Sequence, residues 1–172
     1  MAERLEGLGV RVVRFDFEYM ALSLKLGKRR PPPKMEKLTE EFRAAITPYE
    51  PGELFIGGKS MGGRVASHLA TEIEFAGLVL LGYPFHPPGK PEKLRTEHLS
   101  RIRCRTLVCQ GERDPFGNRA EVEAMTLPGE FEWCWLCQGN HDLKPPKSAP
   151  SSFEDNLDRA AEAISRFVTK CD

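Results

Sequence analysis

The sequence predicts a single α/β domain, a three-layer α/β/α sandwich around a mainly parallel sheet of about five strands. Three observations predict it. Short apolar or alternating runs recur along the chain, each closed by glycine, proline or charged turn residues. Stretches with helical spacing separate these runs, and strand–helix alternation yields a parallel sheet with helices on both faces. The run AGLVLLGYPF over 76–85 is apolar throughout, as in a strand covered on both sides. The chain has 172 residues, enough for one core and short for two, so 1–172 is read as one domain without internal repeats.

The elements follow in order. Residues 2–8 end a helix at Gly9, and VRVVRFDF over 10–17 reads as a strand. Residues 18–33 read as a loop closed by Pro31, Pro32 and Pro33. Met35, Leu38, Phe42 and Ile46 recur at helical spacing, which predicts an amphipathic helix over 35–46. Pro48 ends it, and Pro51-Gly52 makes a turn. ELFIGG (53–58) is a short strand, and 60–73 is a helix with Val65, Leu69 and Ile73 on one side. After the 76–85 strand comes a polar, proline-rich excursion, HPPGKPEKLRTEHL. RTLVCQG (105–111) and EFEWCWLCQG (130–139) are the last strands, with a short helix over 118–125 between them. Phe153, Leu157, Ala161, Ile164 and Phe167 mark a C-terminal amphipathic helix.

Composition excludes several classes. Lysine plus arginine equals aspartate plus glutamate, 25 each, so no basic excess points to nucleic acid and no acidic tail to a basic partner. Lys28-Arg29-Arg30 reads as a solvated loop. No apolar run approaches the ~20 residues that span a bilayer, and the N-terminus has no signal-peptide pattern. The five cysteines fit reduced thiols and a cytoplasmic location. Cys134 and Cys137 match CxxC, but three positions apart on a strand they face opposite ways. No spacing of histidine, cysteine and carboxylate suggests a metal, and no cofactor is expected.

The chemistry concentrates at GGKSMGG, residues 57–63. A phosphate loop, G-x-x-x-x-G-K-[ST], needs its first glycine at position 53, which is glutamate, and would engulf the strand LFI. Gly58-Lys59-Ser60-Met61-Gly62 instead fits G-x-S-x-G between a strand and a helix, the nucleophile elbow. There Ser60 projects its hydroxyl at the sheet edge from a strained turn. Side chains two positions before or after it would collide with the neighbouring strand or helix. The Met61 N–H, at the positive end of the helix, faces a developing oxyanion.

A serine needs a base and an orienting acid, which in this arrangement follow later strands in the order Ser, Asp, His. Asp114 follows RTLVCQG and His141 follows EFEWCWLCQG, so both stand at strand ends in that order. Glu112 competes for the acid position, being nearer its strand, and Asp142 adjoins the histidine. His68, His86 and His98 read as structural or surface residues. Tyr83, Phe85 and Phe116 are candidates for an acyl pocket, with core packing the alternative.

VVRFDF, GGKSMGGRVAS, LGYPFHPPGKPEKLRTEHL, QGERDPFG and GNHDLKP together resemble the small, lidless α/β-hydrolases of the dienelactone-hydrolase-like group. They resemble more closely the predicted bacterial hydrolases that share a domain with a subunit of the NSL chromatin complex and a testis-expressed animal protein. The resemblance covers nearly the whole chain. It implies a serine hydrolase with Ser60, Asp114 and His141 as triad, acting on small esters or thioesters. The animal relatives imply the alternative of a binding or scaffold module. Such proteins open with a strand and a His-Gly-type loop, which supplies a second oxyanion N–H, ahead of the segment matching MAERLEGLGVRVVRFDF. Three readings stay open here: a fragment of a longer product, direct pairing of 10–17 with ELFIGG, or a partner chain at that edge. Direct pairing gives a five-stranded, all-parallel sheet. The expected partners are a small-molecule substrate and a second copy through an exposed sheet edge, with neither nucleic acid nor membrane.

Overall fold

A computed structural model describes residues 1–170. Its sheet has four parallel strands in sequential order: β1 (Phe55–Lys59), β2 (Gly77–Leu81), β3 (Thr106–Gly111) and β4 (Phe131–Leu136). The helices are α1 (Ala2–Gly7), α2 (Glu18–Leu26), α3 (Met35–Ile46), α4 (Met61–Leu69), α5 (Arg119–Glu123) and α6 (Phe153–Thr169).

Period-two alternation along the strands divides the core. Ile56, Leu78, Leu80, Val108 and Phe131 point to one face and pack with Leu38 and Phe42 of α3 and with Val65, Ala66 and Leu69 of α4. Val79, Leu107, Cys109, Cys134 and Leu136 point to the other face and meet Leu5 of α1 and Ala160, Ala161, Ile164 and Phe167 of α6. The two small residues of α6 let its backbone lie close to β3 and β4, while Phe167 stacks edge-on against Phe55 at 5.7 Å. A capping box starts α6: Asp155 N donates to Ser152 Oγ (3.1 Å) and Ser152 N donates to Asp155 Oδ2 (2.7 Å). The expected three layers and parallel sheet are therefore present.

Two segments differ from the sequence reading. Residues 10–17 form no strand, so the sheet has four strands rather than five and β1 is an edge. The side chains of this segment are anchored on helices. Val10 and Val12 pack into the α6 side of the core, whereas Phe15 stacks on Phe42 of α3 (5.0 Å) and Phe17 is buried beside it. The segment thus crosses from one helical layer to the other past the sheet edge, and this anchoring wins over a ladder with β1. Residues 18–26, expected as loop, form α2, which ends where Gly27 adopts φ 60°. Its Glu, Met, Ala, Leu and Lys are helix formers. It buries none of its residues, and Leu24 stays 77% exposed, so no apolar stripe announced it.

Candidate active site

β1 runs into α4 through a single residue, Ser60, at φ 53° and ψ −113°. This positive φ is costly for a residue with a side chain, about 1–3 kcal/mol. It is held by the bonds on either side: Ser60 N donates to Leu81 O (2.9 Å), and Ser60 O accepts from Arg64 N (3.0 Å). A Cβ on Gly58 would lie 2.6 Å from the Gly62 carbonyl carbon, and one on Gly63 would lie 2.6 Å from Gly58 O. A Cβ on Gly62 would meet nothing within 4 Å. The steric requirement expected two positions either side of the serine therefore holds before it, and after it falls on Gly63 instead of Gly62.

β3 ends in a turn that fixes Asp114. Its N–H donates to Gly111 O (3.1 Å), and its carboxylate is fully buried. Three groups surround that carboxylate: Phe116 N donates to Oδ1 (2.9 Å), Gln110 Nε2 donates to Oδ2 (3.1 Å), and His141 Nδ1 stands 2.9 Å from Oδ2. A carboxylate offers only acceptors, and these three neighbours satisfy its buried oxygens and fix its orientation toward the imidazole.

The loop after β4 carries His141. Asn140 Oδ1 accepts from Asp142 N (2.9 Å) and Lys144 N (3.0 Å), and Asn156 Nδ2 of α6 donates to Cys137 O (3.0 Å) and Leu143 O (2.9 Å). These bonds set the ring between acid and serine. His141 Nε2 stands 2.8 Å from Ser60 Oγ, and the ring keeps 20% of its side-chain surface open. With Nδ1–H directed at Asp114, the bare Nε2 is left as the acceptor of a hydrogen bond from the serine hydroxyl. Three residues predicted from separate strand ends are thus joined in one hydrogen-bonded chain. Met61, the expected oxyanion donor, is the first residue of α4, where its N–H lacks an intrahelical partner.

The competing carboxylates have other work. Glu112 Oε2 accepts from Gln138 N (2.9 Å) and Oε1 from Arg119 (3.2 Å), which staples the two loops. Asp142 pairs with Lys59 at 3.0 Å, and Lys59 holds its carboxyl below the ordinary range.

Of the pocket candidates, Phe116 stands at the site, its ring 4.2 Å from that of His141. Tyr83 and Phe85 do not. Both are fully buried, and Tyr83 spends its hydroxyl on Arg95 O (2.8 Å). The positive φ at Gly82 turns the chain away from the sheet end and carries these two rings into the core. Cys134 faces Cys109 across the β3–β4 ladder rather than Cys137, and hydrogen bonding to Cys134 together with burial raises the Cys109 thiol well above its ordinary value. Sequence reasoning missed Gln110 and Asn156. Gln110 lies in the apolar run of β3, where a polar residue is the signal that marks a buried bond, whereas Asn156 stands among the polar residues of FEDNLDR and carries no such signal.

The alpha/beta hydrolase domain family model matches residues 1–169. The fold is similar to that of an alpha-beta serine hydrolase homologue from Coxiella burnetii (19% identity, TM-score 0.63, 96% of this chain and 72% of that one). It is similar as well to the esterase domain of a Rhodothermus marinus protein (16%, TM-score 0.61, 96% and 77%). A third likeness is to a monoacylglycerol lipase from Paleococcus ferrophilus (11%, TM-score 0.59, 82% and 77%). With nearly its full length matched by the family model, the chain belongs to the alpha/beta hydrolase domain family.

Proposed function

We propose that this protein is a serine hydrolase of small carboxylic esters or thioesters that works through an acyl-enzyme. The observation that carries the reading is the chain Asp114–His141–Ser60, with its contacts of 2.9 and 2.8 Å. Ser60 Oγ attacks the carbonyl carbon as its proton passes to His141 Nε2. The carbonyl oxygen becomes an oxyanion facing the Met61 N–H. Collapse expels the alcohol or thiol, which takes the proton from His141. Water, deprotonated by the same nitrogen, then attacks the acyl-Ser60 ester and releases the acid. Asp114 holds the imidazole tautomer and balances the imidazolium. Phe116 flanks the imidazole and forms part of the acyl wall. Free thiols at the described cysteines favour a cytoplasmic setting.

A second reading, a binding module on the same fold, is favoured by the free edge of β1. Leu54 O accepts from Ala76 N and Ser60 N donates to Leu81 O, so Phe55, Gly57 and Lys59 turn their backbone groups to the other side, where no strand lies among the described residues. A second copy of this chain is the partner proposed for that edge.

Intact-mass detection of fluorophosphonate labelling, on this chain and on Ser60→Ala, tests the enzyme reading. One adduct on the parent and none on the variant is expected. Ester hydrolysis should fall by at least ~10³-fold in the variant. A folded parent that takes no label would move the assignment to the binding module.

A further inference from the structure

A second cluster lies along the outer side of α4 and has no part in the triad. Arg64 and His68 sit four residues apart on one helical face. The chain between β2 and β3 folds over them and contributes Arg95, Glu97, His98 and Arg101. Together they line an open cavity of about 440 Å³. The backbone of the covering segment is pinned, with Arg95 N donating to Phe85 O (2.8 Å) and Arg101 N to His98 O (3.0 Å).

Arg64, Arg95 and Arg101 form no salt bridge among the described residues. Arg4, Arg43, Arg119 and Arg166 are the salt-bridged arginines among the described residues, and none of them lines the cavity. Three guanidiniums face one carboxylate, that of Glu97. Two polar atoms, Arg64 Nε and His68 Nε2, are buried without a hydrogen-bond partner. An orphaned buried donor is costly, and in a folded chain such a group marks a place where something else bonds. The two imidazoles are stacked, with centroids 3.7 Å apart and planes 8° apart. Ser67 Oγ gives its own proton to Arg64 O (2.7 Å), so the 2.8 Å contact with His98 uses the His98 Nε2–H. The surroundings respond to the same field. Burial, then His68, Arg64 and Arg101, push the His98 imidazole down to about 3, and burial and Arg64 lower the Arg95 guanidinium. Glu97 lines the cavity, and the carboxylates that act on His68 are Glu72, paired with Arg43, and Glu36.

We infer that the cavity lined by Arg64, His68, Arg95, His98 and Arg101 is a binding site for the phosphoryl dianion of a small phosphate ester. The charge balance favours a dianion over a monocarboxylate. Among the lining residues three guanidiniums outnumber one carboxylate, and a phosphoryl group, carrying about −1.5 to −2 at neutral pH, is held by such an excess more strongly than a single negative charge. Its three oxygens suit guanidinium forks of N–H donors, the recognition in which arginine exceeds lysine. The volume exceeds that of phosphate alone and falls within the range of small-molecule sites, so a short organic group fits beside the phosphoryl oxygens. The site begins one helical turn, about 5 Å, beyond Ser60 along α4. It does not depend on the serine being reactive.

Inorganic phosphate is the first probe. Calorimetric titration of the full chain at neutral pH and low salt should show one saturable site, with phosphate bound at least about tenfold more tightly than acetate. Arg64→Gln and Arg101→Gln should each weaken phosphate by about tenfold, the loss of one charge-assisted contact. Arg29→Gln, on the exposed loop, should change it by less than about twofold. Arg101 is exposed, so its variant carries the comparison if Arg64→Gln loses its fold. The same site should persist in Ser60→Ala, which separates this inference from the hydrolase reading. Absence of saturation up to about 10 mM phosphate, equal binding of acetate, or an equal loss in Arg29→Gln would each overturn it.

Discussion

Replacing Gly58 and Gly62 one at a time with alanine separates the sequence pattern G-x-S-x-G from the packing that underlies it. At Gly58 the new Cβ would lie 2.6 Å from the Gly62 carbonyl carbon, 2.8 Å from Gly63 N and 3.0 Å from Gly62 Cα. All three are backbone atoms of the first turn of α4, so no side chain can swing aside. Carbon atoms in contact rest at about 3.5–4.0 Å, and the turn must retreat by roughly 1 Å. Overpacking of this kind costs about 1–3 kcal/mol. The same retreat moves Ser60 relative to His141, now 2.8 Å apart. A displacement of roughly 1 Å at a reacting atom costs on the order of 10²-fold in rate. At Gly62 the new Cβ meets nothing within 4 Å, and alanine in a helix is favoured over glycine by about 0.5–1 kcal/mol. Urea unfolding should therefore show Gly58→Ala destabilised and Gly62→Ala equal to or firmer than the parent. Fluorophosphonate labelling should slow about a hundredfold in Gly58→Ala. Equal losses for the two variants, or a Gly58→Ala cost under about 0.5 kcal/mol, would refute the packing argument.

Three further outcomes are expected. Gln110→Met strips the buried Tyr83 N–H of its 2.7 Å acceptor and the Asp114 carboxylate of a donor, so stability should fall by about 3 kcal/mol in urea; a loss below about 1 kcal/mol would mean the amide is not structural. His98 titrates near 3 in the fold against an ordinary 6.5, so the folded state binds fewer protons, and its contribution, full above pH 6.5, drains away as pH falls toward 3. By pH 5 that loss is up to about 2 kcal/mol, and His98→Gln should remove it from the difference between pH 7.5 and pH 5; an unchanged acid slope would locate the effect elsewhere. Lys59→Ala breaks a pair whose side chains are 43% and 76% exposed, so the thermal midpoint should move by the equivalent of under about 0.5 kcal/mol; a shift several times larger would contradict its reading as a surface pair.

Sequence periodicity and strand-end chemistry were sufficient for the three-layer sandwich, its parallel order and the elbow at Ser60. Apolar runs that fill both sides of a sheet have few alternatives, and a β–α–β order leaves parallel strands as the outcome. The placement of Asp114 and His141 beyond the ends of β3 and β4 was readable for the same reason, since side chains gathered at the carboxyl ends of parallel strands can meet. Tertiary structure alone decided the rest, because each remaining feature depends on what lies opposite a residue. VRVVRFDF has the composition of a strand, yet Val10, Val12, Phe15 and Phe17 found helices to pack on, and no ladder formed with β1. Tyr83 and Phe85 went to the core because one glycine turned the chain inward. Gln110 and Asn156 acquired their roles from carbonyls and a carboxylate brought in from other loops. Local propensity can specify an element, but the partners of a side chain come from contacts across the sheet, and those exist only once the layers have closed.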